Sequence, residues 1–336
     1  NIELTLDNED FFLENFYGSL DGRDYTITVN FEKEAFDSEN ATINKNVSTR
    51  ADQAINFSFS QSLIKTINEG AIVKNMNIAI SHNLTSASNY QAIVLSGLAT
   101  ENYGTVSAVN LTSLEGTFGQ SISTLALGGL VGFNSGIVED CNNMANIEMT
   151  TQNSSTINLM FGAIVLKNES GGQILGSQNN ADISITVRRN GQNIYVGGVV
   201  YENGGRIIAS GNNAGVSAQG SGTFSSTIGG VVGYNNGTAS HIFNNGTVSS
   251  SQSSGSAGLI YYYRGGRVET AFELTGSTII NSIYGGAVNQ GTIYGSGNST
   301  SSLTITALSG LSDGQTFTTG LYTVTINIDA GAYSAT

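Results

Sequence analysis

Short apolar runs alternate with Gly and Asn along most of this chain. A representative stretch from Leu127 to Ile147 reads LGGLVGFNSGIVEDCNNMANI, with one aliphatic pair at Leu130-Val131 and a second at Ile137-Val138. Runs this short, bounded by Gly and Asn, predict strands rather than helices. No apolar pattern with helical spacing continues for three turns. The chain is therefore predicted to be all-β.

The same sequence motif recurs along the chain at a nearly constant interval. Aligned on the second small residue of each copy, the intervals are 32, 34, 35, 32, 28 and 28 residues. Periods of this length are typical of solenoids, propellers or arrays, in which one unit buries its apolar face only against stacked neighbours. The pattern predicts a β-solenoid of about eight coils over residues 66–300. The aligned positions are Gly97, Gly129, Ala163, Gly198, Gly230, Gly258 and Gly286, with a weaker copy near Gly70.

Gly and Asn mark the predicted corners of each coil. Turns such as Asn134-Ser135-Gly136 are expected to adopt positive φ, which both residue types accept at low cost. The leading pair Gly128-Gly129 instead predicts a close approach of two backbones. Asn also recurs at equivalent corners, where it either stacks into amide ladders or lies in solvated turns. These corners are Asn142-Asn143, Asn179-Asn180, Asn212-Asn213 and Asn244-Asn245.

Two of the copies carry a family resemblance. GGLVGFNSGIVEDCNN at Gly129 and GGVVGYNNGTASHIFNNG at Gly230 resemble the GLUG repeat of large bacterial surface proteins. The stretch FYGSLDGRDYTITV, from Phe16 to Val29, resembles the segment that opens such arrays. The resemblance extends to residue 300 and is loose for the last two copies. It implies a right-handed parallel β-helix of pectin-lyase-like architecture on an exported protein. The residues themselves do not determine the handedness.

The two ends of the chain depart from the repeat. Residues 1–65 are predicted to form an N-terminal cap, because they are aromatic and hold eleven of the 25 acidic side chains within the first 40 positions. Residues 301–336 contain a predicted amphipathic strand pair that caps the last coil. Pairing of these strands with another subunit is the alternative, since an uncovered strand edge is a template for association. The candidate assembly residues are Tyr322, Val324, Ile326 and Ile328.

Composition narrows the possible partners. Pro is absent, as expected where backbone N–H groups are needed in ladders. A net charge of −13 without a basic patch argues against nucleic acid and anionic membranes. No apolar run is long enough for a membrane-spanning helix, so direct membrane insertion is not expected. Cys141 is the only cysteine; it excludes an intrachain disulfide and is expected to act as a small buried hydrophobe.

Ten N-x-[ST] motifs are candidate N-glycosylation sites on loops. Their number suits an extracellular chain, although many such motifs arise by chance in a sequence rich in Asn, Ser and Thr. The ten residues are Asn40, Asn46, Asn56, Asn83, Asn110, Asn153, Asn168, Asn236, Asn245 and Asn298.

Residues able to carry catalysis are sparse, and no enzyme activity is expected. His82 and His241 are far apart, and no His-Glu-x-x-His motif occurs. A β-helical polysaccharide lyase or hydrolase, the alternative reading, needs several acids on one face. The repeats offer Glu139 with Asp140, and the pairs Glu202/Arg206 and Arg267/Glu269, which surface ion pairing explains equally. The acidic N-terminal stretch is read as a solvated cap rather than a calcium site, so neither metal nor cofactor is expected.

The most distinctive local cluster is aromatic. Stacked Tyr side chains form sugar platforms or protein contacts, although alternation along a strand would bury half of them. We therefore expect a non-catalytic scaffold at the cell surface: part of an adhesin, stalk or extracellular filament. Its expected partners are further copies joined end to end or other surface proteins, with carbohydrate as a further candidate ligand. The contact residues are Tyr261, Tyr262, Tyr263, Arg264 and, one coil later, Tyr284.

Overall fold

A computed structural model describes most of the chain as stacked strands. The described residues are 1–7, 11–33, 45–49, 54–57, 59–84, 92–118, 122–151, 158–188, 190–252, 255–263, 267–274, 292–294, 304–306, 308–330 and 332–336. They form a parallel β-solenoid of about six turns followed by three antiparallel strands. Within these ranges the only helical element is a 3-10 turn at Leu308–Gly310. The predicted all-β solenoid is confirmed.

In chain order the strands are β1 Ile2–Asp7, β2 Phe11–Phe16, β3 Ser19–Asp21, β4 Thr26–Lys33, β5 Asn46–Ser48, β6 Ala54–Asn56, β7 Phe59–Ile67, β8 Ile72–Leu84, β9 Ala92–Ser96, β10 Ala99–Asn102, β11 Thr105–Phe118, β12 Thr124–Gly128, β13 Val131–Asn134, β14 Ile137–Glu139, β15 Asn142–Asn143, β16 Ile147–Thr151, β17 Asn158–Gly162, β18 Val165–Asn168, β19 Gln173–Leu175, β20 Gln178–Asn179, β21 Ile183–Val187, β22 Asn193–Gly197, β23 Val200–Asn203, β24 Arg206–Ile208, β25 Gly211–Asn212, β26 Val216–Gly220, β27 Ser225–Gly229, β28 Val232–Asn235, β29 Thr238–Ser240, β30 Ile242–Asn244, β31 Val248–Ser250, β32 Ser256–Ala257, β33 Ile260–Tyr263, β34 Arg267–Val268, β35 Thr270–Glu273, β36 Thr292–Tyr294, β37 Thr304–Thr306, β38 Thr316–Thr319, β39 Tyr322–Asp329 and β40 Ala332–Ala335.

Each coil repeats one path through the same strand positions. The coil from β12 to β16 passes a corner after Gly128, a turn after β13 and a second corner after β14. Equivalent strands of successive coils pair in parallel and in register, so Leu125 lies between Ile93 of the preceding coil and Leu159 of the next. The inward side chains form continuous aliphatic columns with almost no exposed surface. Burial of each such side chain contributes about 1.5–3 kcal/mol.

The leading glycine pairs allow two backbones to touch, as predicted. A Cβ on Gly129 would collide with the carbonyl oxygen of Ala163 in the next coil, and one on Gly198 with that of Gly230. The turn glycines have the same role. Gly136 and Gly237 lack positive φ and face the backbone of the preceding coil. The predicted positive φ at these turns is therefore wrong. Glycine is required there because the backbone of the preceding coil lies too close for a Cβ.

One column of left-handed residues lies at a different corner, between the two strand positions of the largest sheet. They stack one above another, and only one of them is glycine. An alanine there costs about 1–2 kcal/mol in backbone strain. The column consists of Asn75, Ala108, Asp140, Gly176, Ala209 and His241.

Replacing Ala108 by Gly is expected to stabilise the protein slightly. Ala108 has a φ of 51°, so glycine relieves the strain, by about 1–2 kcal/mol, which exceeds glycine's conformational cost of about 0.5–1 kcal/mol. Ala79 lies within β8 and has no such strain. Ala79→Gly is therefore expected to destabilise by about 0.5–1 kcal/mol. Denaturant unfolding of both variants measures the two changes, and the same sign for both would contradict the strain.

The described N-terminal strands pair in parallel with strands of the solenoid. β1 pairs with β4, β3 and β4 pair with β8, and β2 pairs with β7, all in parallel. Apart from the hairpin β5–β6, the described strands of residues 1–65 are stacked on the following coils, and the predicted cap with its boundary at residue 65 stays a prediction.

The C-terminal strands form a three-stranded sheet that lies along the side of the solenoid. β38, β39 and β40 are antiparallel neighbours, where the sequence predicted a pair. Val324 and Ile326 are buried against Ile208, Phe243 and Phe272, which face outward from successive coils. The sheet therefore covers a lateral face, and we name it the C-terminal flap (residues 308–336).

Candidate functional site

A ladder of buried asparagines runs along the solenoid axis at the turn after β10 and its equivalents. The Nδ2 of each of the first four members donates to the Oδ1 of the next member at 2.7–2.8 Å, and every side chain is fully buried. A buried amide without partners costs free energy, whereas a stacked one is satisfied by its neighbours. This inner ladder was not foreseen, because its members were interpreted as turn residues. They are Asn102, Asn134, Asn168, Asn203 and Asn235.

A second buried ladder follows the Asn corners that the sequence singled out. Nδ2 of Asn143 donates to Asn179 at 2.7 Å, and the chain continues through Asn212 to Asn244 at 2.7 and 2.8 Å. The ladder interpretation is confirmed here over that of solvated turns. Both buried ladders donate toward the C-terminal end of the solenoid.

A third ladder on the outer surface donates in the opposite direction. It starts at Asn245 and ends at Asn77, whose Nδ2 donates to the carbonyl oxygen of Asp24 at 2.9 Å. Opposite polarity means that its amide dipoles offset those of the buried ladders. At its other end, Asn245 bonds both backbone groups of Ala335 in the flap, at 2.8 and 3.0 Å. Between these ends the ladder passes through Asn213, Asn180, Asn142 and Asn110.

A short hairpin covers a second lateral face. β5 and β6 pair antiparallel, and we name this element the strap (residues 45–57). Val47 and Phe57 of the strap pack on Phe133 and Tyr201, which project outward from two different coils. The strap thereby covers apolar side chains of the strand columns of β12 and β13. Sequence analysis assigned this region only to the predicted N-terminal cap.

Polar contacts fix the strap to the coils. The backbone N–H of Ser48 donates to Glu202 Oε2 at 2.6 Å, and the hydroxyl of Tyr201 donates to the carbonyl oxygen of Ser48 at 2.6 Å. Nζ of Lys167 donates to the carbonyl oxygen of Asn46 at 2.9 Å and lies 3.4 Å from Glu202. Burial, and next the charge of Glu202, raise the pKa of Tyr201. Glu202, a candidate catalytic acid by sequence, is thus bound in a structural contact.

The adjacent carboxylates Glu139 and Asp140 lie at the edge of the flap. The hydroxyl of Tyr322 is 3.5 Å from Glu139 Oε2. Burial, and next Asp140 and Glu139, raise the pKa of Tyr322 to about 12, and burial with Glu139 raises that of Asp140. Gly176 adjoins Tyr322 and leaves room for its ring. The contact between Tyr322 and Glu139 thus joins the edge of the flap to a polar region of the solenoid surface.

The two histidines lie in separate environments. His82 is fully buried, stacked on Phe31 with ring centroids 5.5 Å apart, and its Nδ1 is 2.7 Å from Gln61 Oε1. Burial lowers the pKa of His82 to about 3. His241 lies in a coil distant from His82. Its Nδ1 is 2.8 Å from the hydroxyl of the preceding residue, Ser240. The structure does not bring the two rings together.

His82 makes the stability dependent on acid. Its pKa is about 3 when folded against 6.5 for the unperturbed group, so unfolding takes up a proton between these values. Its contribution is fully present above pH 6.5 and is lost as the pH falls toward 3, by up to about 4 kcal/mol. Denaturant titrations from pH 7 to 4 should show a flatter pH dependence for His82→Gln than for the natural protein. Parallel curves would contradict the assignment.

Cys141 is buried and its thiol donates to the carbonyl oxygen of Glu139 at 3.2 Å. Burial is the main cause that raises the pKa of Cys141 to about 12. The residue lies in a corner column, and its backbone N–H donates to the hydroxyl of Ser177 in the next coil at 3.1 Å. The prediction of a small buried side chain is confirmed.

The predicted tyrosine platform is corrected at its first residue. Tyr261 is fully buried, so it cannot contact a ligand in the folded coil. Tyr262 and Tyr263 continue β33, and their side chains lie outside the described part of the structure. Arg264 and Tyr284 also lie outside it.

The candidate assembly residues of β39 pack within the chain. Val324 and Ile326 are buried, and Tyr322 and Ile328 are half-buried in the same cluster. Their apolar side chains pack against the solenoid of the same chain. Any contact of the flap with another subunit must therefore use its strand edges or its outer face.

The glycosylation motifs fall in different environments. Asn46, Asn56 and Asn236 are exposed, and the side chains of Asn110 and Asn245 are members of the outer ladder. Asn83 is half-buried, and its Oδ1 has no partner among the described residues. Asn168 is corrected as an acceptor, because its fully buried amide in the inner ladder leaves no room for a glycan. Asn40, Asn153 and Asn298 lie outside the described ranges.

Comparisons with known proteins find no match. No protein-family model, no curated protein and no solved structure matches the chain. The parallel solenoid that the GLUG resemblance implied is present, while membership of that family and right-handedness stay predictions. Among the described residues, no helix is long and apolar enough to cross a membrane, and no three acidic, His or Cys side chains are grouped to hold a metal.

Proposed function

We propose that this chain is a non-catalytic structural rod outside the cell: a segment of a surface adhesin or stalk, or a subunit of an extracellular filament. The observation that carries this proposal is the set of three continuous asparagine ladders. Each ladder links successive coils side chain to side chain, in addition to the parallel backbone pairing. Hydrogen-bonded stacks of this kind stabilise cross-β assemblies against both local opening and unfolding.

The lateral elements support the same role. The strap bonds Tyr201, Glu202 and Lys167 of two neighbouring coils, and the flap reaches from Glu139 to Asn245 over several coils. Elements that bridge coils restrain bending and sliding of one coil on the next. Glu202, one of the acids that an enzyme could present to a substrate, is here bound to Ser48 of the strap and lies 3.4 Å from Lys167.

Labelling of intact source cells tests the extracellular assignment. An antibody raised against the folded rod should label unpermeabilised cells as strongly as permeabilised ones, and external protease should remove the label. Label that appears only after permeabilisation would overturn the proposal.

The non-catalytic assignment has a separate test. The purified protein should release no reducing or unsaturated ends from a panel of neutral and acidic polysaccharides. Activity that is lost in Glu139→Gln would instead support the lyase or hydrolase alternative, since Glu139 and Asp140 are adjacent carboxylates near solvent.

A further inference from the structure

The flap packs on an outward face of the solenoid that follows the left-handed corner. Two columns of outward side chains flank this corner, and under the flap both columns are apolar. Ile208 belongs to the column before the corner, and Phe243 belongs to the column after it. Tyr322, at the tip of the flap, meets the face at Glu139 and Gly176. We name the corner with its two flanking columns the corner face.

Toward the N-terminus the same two columns become polar. Backbone register continues the column of Ile208 through Leu175 into three partly exposed polar residues, Glu139, Ser107 and Lys74. The face therefore presents apolar side chains where the flap covers it and polar side chains in the coils that precede the flap. The column after the corner makes the same change, because register places three partly exposed amides in line with Phe243: Asn77, Asn110 and Asn142.

The three amides retain hydrogen-bonding groups that the contacts among the described residues do not use. Nδ2 of Asn142 donates to Asn110 and that of Asn110 donates to Asn77, each at 3.1 Å, so each contact uses one N–H and one oxygen lone pair. An asparagine amide has a second N–H and a second lone pair. Asn245 shows what a ladder amide can bind, because it keeps its place in the ladder and also bonds both backbone groups of Ala335.

The spacing of these amides selects the kind of polymer that fits them. Successive coils lie about 4.8 Å apart, so the unused groups repeat at that interval along the axis. A polypeptide strand parallel to the axis repeats every two residues, about 6.7 Å, and falls out of step with the amides. A pyranose unit of an extended glycan has nearly the length of one coil step. Successive sugars therefore place hydroxyls, which both donate and accept, beside successive amides.

The charges of the corner face favour a neutral ligand. Lys74 lies 3.6 Å from Asp21, which offsets its charge. The adjacent residues Arg23-Asp24 are likewise oppositely charged. Glu139 and the exposed Asp140 then leave the face with a negative potential that repels acidic sugars. Their carboxylates still accept hydrogen bonds from the hydroxyls of a neutral sugar.

We propose that the polar part of the corner face binds a neutral oligosaccharide extended along the solenoid axis, with one sugar opposite each of Asn77, Asn110 and Asn142. The amides bind hydroxyls on one side of the sugar chain, and Ser107 with Glu139 binds those on the other side. This inference rests on the proposed role outside the cell and gives the adhesive form of that role a ligand class and a surface.

Calorimetric titration of the full chain with tetrasaccharides of glucose, mannose, xylose and N-acetylglucosamine tests the ligand class. At least one should bind with a Kd below about 1 mM, and tetragalacturonate should bind more weakly by at least about ten-fold. Ser107→Arg places a long side chain across the face and should weaken binding by at least about ten-fold. Ser184→Arg makes the same change at a partly exposed strand residue of another sheet and should leave binding unchanged. Failure of every neutral sugar to bind, or equal binding by the two variants, would overturn the proposal.

Side-chain amide signals in NMR spectra locate the ligand without any substitution. A saturating neutral tetrasaccharide should shift the signals of Asn110 and Asn142, whereas those of Asn134 and Asn168 in the buried inner ladder should stay in place. Shifts confined to other residues would place the ligand elsewhere and overturn the site. Larger shifts with an extended threonine-rich peptide than with any sugar would assign the face to a protein partner instead. Labelling of intact cells does not depend on any sugar, so failure of this site and failure of the proposed function are distinguishable.

Discussion

Replacing Asn203 by Asp is expected to lower the free energy of unfolding by about 3–5 kcal/mol at neutral pH. Asn203 is fully buried in the inner ladder, accepts a hydrogen bond from Asn168 and donates one to Asn235. The carboxylate retains the acceptor but has no N–H, so two oxygen atoms face each other and a charge is buried without a cation. Size and shape are unchanged, and the measured loss therefore reports the ladder rather than packing.

The neighbouring residue supplies the control. Asn236→Asp makes the same chemical change at an exposed side chain, and should alter the free energy of unfolding by no more than about 0.5 kcal/mol. Denaturant unfolding compares both variants with the natural protein. The penalty of Asn203→Asp should shrink as the pH falls, because a protonated carboxyl regains a donor. Equal stability of the two variants at neutral pH would show that the ladder contributes little.

Deleting Leu321–Thr336 is expected to damage the rod itself. The deletion removes β39 and β40 and exposes the apolar faces of Ile208, Phe243 and Phe272. Loss of buried Val324 and Ile326 alone corresponds to about 3–6 kcal/mol. Binding of an apolar dye and a lower unfolding midpoint should accompany the deletion. Lost assembly in this truncated protein would therefore not identify the flap as a subunit contact.

Point variants test whether the apolar face of the flap holds it on the solenoid, without removing the flap. Ile326→Asp places a charge in the buried cluster and should release the flap, with a loss of several kcal/mol, on the order of 3–5. Thr323→Asp changes the exposed side of the same strand and should be within about 0.5 kcal/mol of the natural protein. If Ile326→Asp unfolds like Thr323→Asp, the flap is not held by its apolar face.

The two buried Asn ladders differ in how far the sequence pattern alone could predict them. Asn143 and Asn179 stand at equivalent corners of similar repeats, so the possibility of stacking was visible in the sequence. Asn134 and Asn168 recur at the same interval but precede Gly, Ser or Glu, which is typical of exposed turns. Only the structure shows that their side chains turn inward.

The sequence by itself determined the all-β class, the coil period and the positions of the aliphatic columns. These properties follow from a local pattern that each coil repeats, because every coil must bury the same face against its neighbours. The glycine pairs were also readable, since two backbones in contact leave no room for a Cβ at Gly129 or Gly198.

Only the tertiary structure decided what covers the sides of the solenoid. Ser48 meets Glu202, and Tyr322 meets Glu139, across more than a hundred residues of chain. Such contacts depend on which outward side chains fall side by side in neighbouring coils, and those positions do not repeat. The inner face of each coil is constrained by its period, whereas the outer face is free to vary and is defined only once the coils are stacked.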